Sequence, residues 1–150
     1  MQTRTRTRTR TRGFTLIEML FAMAVAAVLS GIALPSFEAH LHKARRADAL
    51  TAVVQIQSAQ ERMRSRGTRY GDLAEIGAAP VSSAGHYRLQ IIAFSADGYE
   101  LHATAVGAQA RDTACRFMAA RAVGMNLVYV SGGDALVANP EPINRRCWSL

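Results

Sequence analysis

The sequence lacks the residue groupings on which most enzymes and metal sites depend. It contains no glycine-rich phosphate-binding loop, no serine nucleophile elbow and no clustered acidic loop of the kind that binds calcium. Its histidines are scattered, at His40, His42, His86 and His102. The closest two are two residues apart on a predicted helix, where side chains point to different faces. We therefore expect neither an enzyme nor a protein with a cofactor or metal site.

A long apolar stretch near the N-terminus is interrupted by a single acid. Residues Phe14 to Leu34 form a run of 21 residues in which only Thr15, Glu18 and Ser30 are strongly polar. Such a run is long enough to cross a bilayer as a helix. A charged side chain near the membrane centre costs about 2.5 to 3.5 kcal/mol on insertion scales, so Glu18 indicates a function or a partner of opposite charge.

The residues before this stretch are strongly basic. Arginines alternate with threonines in this leader, at Arg4, Arg6, Arg8, Arg10 and Arg12. By the positive-inside rule they keep the start of the chain in the cytoplasm, and the rest is then expected on the other side of the membrane. A cleaved secretory signal is the alternative, but the apolar run leads into Pro35 and a helical pattern instead of a small-residue cleavage site.

The junction between leader and apolar stretch, Gly13 to Leu20, has the sequence GFTLIEML and resembles the class III signal of type IV pilins and pseudopilins. The resemblance implies that a prepilin peptidase cleaves between Gly13 and Phe14 and methylates the new amino group of Phe14. It also implies that Glu18 pairs with the terminal amine of a neighbouring subunit, which would neutralise a charge that is costly when buried alone. We expect a cleaved leader at 1–13, a transmembrane and assembly helix at 14–34, and a head at 35–150.

The same resemblance implies where the protein resides and what it contacts. It implies a single-pass inner-membrane protein of a Gram-negative bacterium, with a periplasmic head, that later joins an extracellular pilus. The implied partners are other pilin subunits, major and minor, together with the prepilin peptidase and the inner-membrane assembly machinery.

Removal of the leader changes the charge of the chain. The formal charge of +7 falls to +2, because the mature part keeps 13 basic and 11 acidic residues. Global basicity therefore gives little support to DNA binding, which would need a local cationic patch.

After Pro35 the apolar pattern becomes one-sided. Ala49, Val53 and Ile56 recur at spacings of three and four, which predicts an amphipathic helix continuing the membrane span. Gly31 and Pro35 are the predicted kinks, because proline removes an internal hydrogen bond and glycine weakens a helix. Gly, Pro and Ser between Gly67 and Gly85 predict a connection to the next element.

The second half of the chain carries strand patterns. Alternating apolar residues predict strands from Tyr87 and from Tyr99, joined by a hairpin turn at Asp97-Gly98. Two more strands are predicted at 115–122 and 127–130. A four-stranded antiparallel sheet packed on the helix is therefore expected, an α+β arrangement of the type IV pilin kind.

Cys115 and Cys147 are the only cysteines. In an exported head an even pair predicts a disulfide, and closing a loop of about 33 residues would contribute roughly 3 to 4 kcal/mol in the chain-entropy model. The enclosed C-terminal loop shows little regular pattern and is expected to be irregular.

Three further motifs resemble those of minor type IV pilins of the PilE kind: Ala59-Gln60-Glu61-Arg62 late in the helix, Asp112-Thr113-Ala114-Cys115 before a strand, and Cys147-Trp148. This implies a subunit that primes or joins pilus assembly and supports twitching motility and adhesion. One alternative is a DNA-binding minor pilin for natural transformation, with contacts at Arg111, Arg116, Arg121, Arg145 and Arg146. A type II secretion pseudopilin is another.

Overall fold

The structure is a computed structural model that describes residues 13–149, apart from the side chains of residues 33–35. The arginine-rich part of the predicted leader lies outside the described residues. The chain divides into two compact units, one ending at Glu38 and the other beginning at Ala39.

The first unit contains the start of helix α1, which runs from Leu16 to Arg66. The hydroxyl of Thr15 accepts a hydrogen bond of 3.3 Å from the backbone N–H of Glu18, as in one half of a capping box. Every residue described from Gly13 to Ile32 is exposed, and the stretch is long and apolar enough to cross a membrane. Helical backbone continues through Gly31 and Pro35, and a kink at these residues stays a prediction.

In the second unit, helix α1 carries the apolar stripe that its spacing predicts. Ala49, Val53 and Ile56 are each at most 2% exposed, and Ala52 is also buried. This stripe packs against one face of the sheet to form the core. The sheet residues buried in this core are Tyr87, Leu89, Tyr99, Leu101, Ala103, Ala105, Met118, Ala120 and Ala122.

The sheet has four antiparallel strands in the order β1-β2-β3-β4. They span Tyr87–Phe94, Gly98–Ala105, Phe117–Val123 and Asn126–Gly132. The predicted turn at Asp97-Gly98 connects β1 to β2. The turn between β3 and β4 places Gly124 at a φ of 59°, a conformation that favours glycine. A 3-10 helix, Gly107–Arg111, follows β2 and was not predicted. The expected fold class is confirmed.

The connection between α1 and β1 is fastened to the helix by a buried glutamine. The side-chain amide of Gln60 donates to the carbonyl of Gly71 at 2.6 Å, and its oxygen accepts from the N–H of Gly71 at 3.0 Å. Tyr70 is 2% exposed and Leu73 packs against the core. The connection contains none of the helices or strands given above, yet the backbone N–H and carbonyl of Gly71 are both hydrogen-bonded.

The C-terminal segment is more regular than expected. Helix α2 spans Glu141–Trp148, so the prediction of an irregular loop was wrong over these residues. An eight-residue helix gives too short a periodic pattern to recognise in a sequence. The disulfide between Cys115 and Cys147 is present, with the two Cα atoms 5.5 Å apart. It ties α2 to the segment that leads into β3.

Candidate functional site

An ion pair joins helix α1 to the segment after the 3-10 helix. Nε and Nη2 of Arg46 donate to the two carboxylate oxygens of Asp112, at 2.6 and 2.9 Å. The side chains are only 16% and 7% exposed. Bidentate arginine–carboxylate geometry is the strongest form of this contact. In this pair the guanidinium of Arg46 neutralises the carboxylate of Asp112.

A buried glutamine extends this contact into a network. Gln109 is fully buried, and its amide group donates to the backbone carbonyl of His42, the hydroxyl of Tyr87 and the carboxylate of Asp112, each at 3.1 to 3.2 Å. Burial raises the pKa of Tyr87 to about 12, so its hydroxyl stays protonated. The network holds the 3-10 helix against α1.

The same ion pair reaches helix α2. Nη1 of Arg46 donates to the carbonyl oxygen of Arg146 at 3.3 Å, and the disulfide anchors the next residue, Cys147. The indole N–H of Trp148 donates to the carbonyl of Val130 at 3.1 Å. Three elements distant in sequence are therefore joined at one place.

Four of the predicted DNA-contact residues lie at this meeting point. Arg111 precedes Asp112, Arg116 follows Cys115 and donates to the carbonyl of Ala110 at 2.9 Å, and Arg145 and Arg146 occupy the last turn of α2. All four are exposed, and none forms an ion pair within residues 13–149.

An exposed lysine on α1 adds to these cations. Lys43 lies three residues before Arg46, hence on a neighbouring position of the same helix face. We call the group Lys43, Arg111, Arg116, Arg145 and Arg146 the cationic junction.

The fifth predicted contact, Arg121, lies apart from the cationic junction. It is paired across β2 and β3 with Glu100, to which it donates two hydrogen bonds of 2.9 Å. These hydrogen bonds from Arg121 lower the pKa of Glu100. Since Glu100 also contacts His102, Arg121 belongs to a local charge cluster on the sheet face away from the core.

A second group of arginines lies at the C-terminal end of α1, and one of its three cations is paired with an acid. Arg62, Arg66 and Arg69 line an open groove of about 470 Å³, which also contains Glu75. Arg69 donates to both oxygens of Glu75 and lowers the pKa of that carboxyl to about 2. The cationic junction has five exposed cations without an ion pair among the described residues, against Arg62 and Arg66 in this groove, and is therefore the better candidate for an anion.

The contacts that organise the site were not predicted from the sequence. Arg46, Gln109 and Asp112 touch only in the folded chain, since 66 and 67 residues separate α1 from its partners. The two cysteines were the available signal, because their pairing predicts that residues near 115 and 147 are neighbours.

Comparison with protein families identifies the chain. A family model described as type IV minor pilin ComP, DNA uptake sequence receptor, matches residues 35–119, which is more than half of the chain. The chain belongs to the type IV minor pilin family. A model of the prokaryotic N-terminal methylation motif matches residues 8–34, and this range includes Gly13, Phe14 and Glu18.

A curated relative of this minor pilin is the type IV major pilin protein PilA of Myxococcus xanthus (strain DK1622). The two are 30% identical over 137 residues, which is 89% of this chain and 57% of PilA. The chain thus spans a little over half the length of the relative it matches.

Family membership has consequences for the N-terminal stretch. It implies processing as a prepilin, anchoring in a membrane and association with other pilin subunits. The family is a structural one, not an enzyme family.

Proposed function

We propose that this minor pilin is a pilus subunit that binds DNA through its cationic junction. The observation that carries the proposal is the grouping of four exposed arginines without acidic partners around the Arg46–Asp112 pair. Support comes from the model of a DNA uptake sequence receptor, whose match includes Lys43, Arg111 and Arg116.

Charge balance favours the cationic junction over a merely solvated surface. Asp112 is neutralised by Arg46, and none of the five exposed cations forms an ion pair within residues 13–149. Cations in the last turn of a helix also complement its dipole, which accounts for Arg145 and Arg146. That effect does not account for Arg116, which belongs to neither helix.

Arginine suits this role physically. Its planar guanidinium donates two parallel hydrogen bonds to a phosphate, and phosphate contacts supply most of the sequence-independent affinity for DNA. Neutralising about four phosphates should give a salt slope near −3.6, and affinity should fall about a hundredfold between roughly 50 and 200 mM salt.

The proposal is tested with the full chain in nanodiscs of neutral lipid, titrated with a fluorescent DNA duplex. The Arg145→Gln/Arg146→Gln variant should bind about tenfold more weakly and show a salt slope smaller by roughly 2. Arg121→Gln, which removes a cation outside the junction, should bind like the wild type.

Absence of binding at low salt would exclude the proposal. Equal weakening in Arg121→Gln would show that only net charge matters. Duplexes of different sequence, compared at one salt concentration, would show whether base contacts add to the phosphate contacts.

A second candidate function is that of an assembly subunit that supports pilus extension, twitching motility and adhesion without binding DNA. The exposed apolar start of α1 and the similarity to a type IV major pilin favour it. Deletion of the chain should then lower the number of surface pili while the pool of major pilin stays constant. Loss of exoprotein release with normal pili would instead indicate a secretion pseudopilus.

We further propose that cleavage occurs between Gly13 and Phe14 and that the Phe14 amine is methylated. The methylation-motif match over residues 8–34 supports this assignment. Mass spectrometry of the mature N-terminus tests it directly.

A further inference from the structure

Before assembly, the head of a membrane-anchored pilin is tethered beside a lipid surface. Lys43 lies nine positions after Leu34, the end of the apolar run, so the chain allows at most about 30 Å between them. The cationic junction therefore stays within a short tether length of the headgroups, at a high effective concentration.

The charges of the junction match such a surface. Anionic phospholipids attract exposed lysine and arginine side chains, and each cation adds to the attraction within a Debye length of the membrane. The five cations of the junction are exposed, and none forms an ion pair in the part of the chain that the structure describes. The second arginine group lies at the other end of this part of the helix, with Arg62 19 positions and Arg66 23 positions after Lys43.

We propose that the cationic junction docks on anionic phospholipid headgroups while the subunit is anchored in the membrane. Docking holds the head on the surface until assembly removes the subunit from the lipid. The inference does not depend on DNA binding, because lipid and DNA would use the same cations at different stages.

The chain contains its own reporter for this contact. Lys43 is the only lysine in the sequence, so acetylation by a neutral amine reagent modifies one head residue. Peptide mapping separates this product from modification of the terminal amine. The full chain is placed in nanodiscs of phosphatidylcholine, with or without phosphatidylglycerol, at low salt.

We expect Lys43 to react about fivefold more slowly in the anionic nanodiscs and to recover its rate in high salt. A matched control is Arg66→Lys, which places a second lysine at the far end of the helical part of the head. That lysine should react equally fast in both lipids.

The Arg145→Gln/Arg146→Gln variant separates docking from a local pH effect of the anionic surface. It leaves Lys43 in place but removes two cations of the junction, so the protection of Lys43 should fall to less than half. Equal rates for Lys43 in the two lipids would overturn the proposal. So would undiminished protection in the variant, or equal protection of the lysine in Arg66→Lys.

DNA added to the neutral nanodiscs gives an independent result. Protection of Lys43 there tests DNA binding alone, so the two proposals can fail separately.

Discussion

Two regions of helix α1 differ in the exposure of their apolar side chains. From Leu16 to Ile32 every side chain is exposed, including Phe21, which is 73% exposed. From Ala39 onward the helix buries a narrow stripe against its own sheet, with Ala49 at 0% and Ile56 at 2% exposure. The head therefore supplies its own partner for its apolar stripe, whereas the N-terminal stretch leaves its apolar surface to lipid and to other subunits.

The polar residues of the two regions differ in the same way. Glu18 has no partner side chain among the described residues, while Arg46 is paired with Asp112 within the chain. A charge that the chain leaves unpaired in an apolar stretch indicates a contact with another molecule. A charge that is paired within the chain, such as Arg46 with Asp112, indicates a role in holding the fold together.

The largest expected effect is at Glu18. We propose that Glu18 pairs with the terminal amine of a neighbouring subunit, so Glu18→Ala should lower incorporation into filaments about a hundredfold, because that amine would be buried without its opposite charge. Incorporation is measured as the fraction of the chain in sheared pili. Glu38→Ala, which removes an exposed acid outside the apolar run, should assemble normally. Recovery of Glu18→Ala in pili at the wild-type level would contradict the assignment.

The disulfide should contribute the next largest effect, this time on the head alone. Replacing Cys115 and Cys147 together by serine should lower the free energy of unfolding by roughly 3 to 4 kcal/mol. Urea unfolding followed by circular dichroism measures the change. Reduction of the wild-type protein should reproduce it, and unchanged unfolding in the double variant would show that the bridge does not stabilise the head.

The Arg46–Asp112 pair should follow. Arg46→Met leaves the carboxylate of Asp112 mostly buried without a counter-charge, and should cost about 3 kcal/mol of unfolding free energy. Adding Asp112→Asn should restore more than half of the loss. Arg45→Met is the control, because Arg45 has no ion pair in the described chain, and it should cost less than about 1 kcal/mol. Additive losses in the double variant would exclude coupling of the pair.

The smallest effect concerns Asp48, which organises the end of the α1–β1 connection. Burial favours its protonated form, but hydrogen bonds from the Ser82 hydroxyl and from the N–H groups of Ala84 and His86 outweigh burial and lower its pKa from the ordinary 3.8. Ionised Asp48 therefore stabilises the fold above its ordinary pKa, and this contribution is lost as pH falls through the folded value.

Asp48→Asn should accordingly be less stable near neutral pH and lose less stability on acidification than the wild type. Urea midpoints at about pH 7 and about pH 3 measure the difference. Asp97→Asn, in an exposed turn, serves as the control and should follow the wild-type curve. A wild-type acid dependence in Asp48→Asn would show that other carboxyls dominate.

The sequence predicted the elements whose pattern repeats locally and missed those defined by distant contacts. The stripe around Val53, the turn at Gly98 and the cysteine pair are confirmed, because spacing, turn chemistry and pairing are visible in the chain itself. Arg121 shows what local patterns do not predict. Its pairing with Glu100 depends on the register of β2 against β3, which alternation alone does not specify.

The cationic junction also depends on contacts between residues that are distant in sequence. Its four arginines are predicted from the sequence as DNA contacts together with Arg121, but the network of Arg46, Gln109 and Asp112 beside them spans more than 60 residues of sequence. Helix α2 was missed because its eight residues are too few to establish a period.

Trp148 turns the packing of α2 into an optical signal. It is the only tryptophan in the chain, its indole ring lies 4.6 Å from the ring of Tyr129, and its neighbour Cys147 forms the disulfide. An indole held this way emits in a dry environment, and release of α2 would shift its emission to longer wavelength. The undocking of one short helix can therefore be followed in the unlabelled protein, in lipid or in a pilus, without disturbing the charges around it.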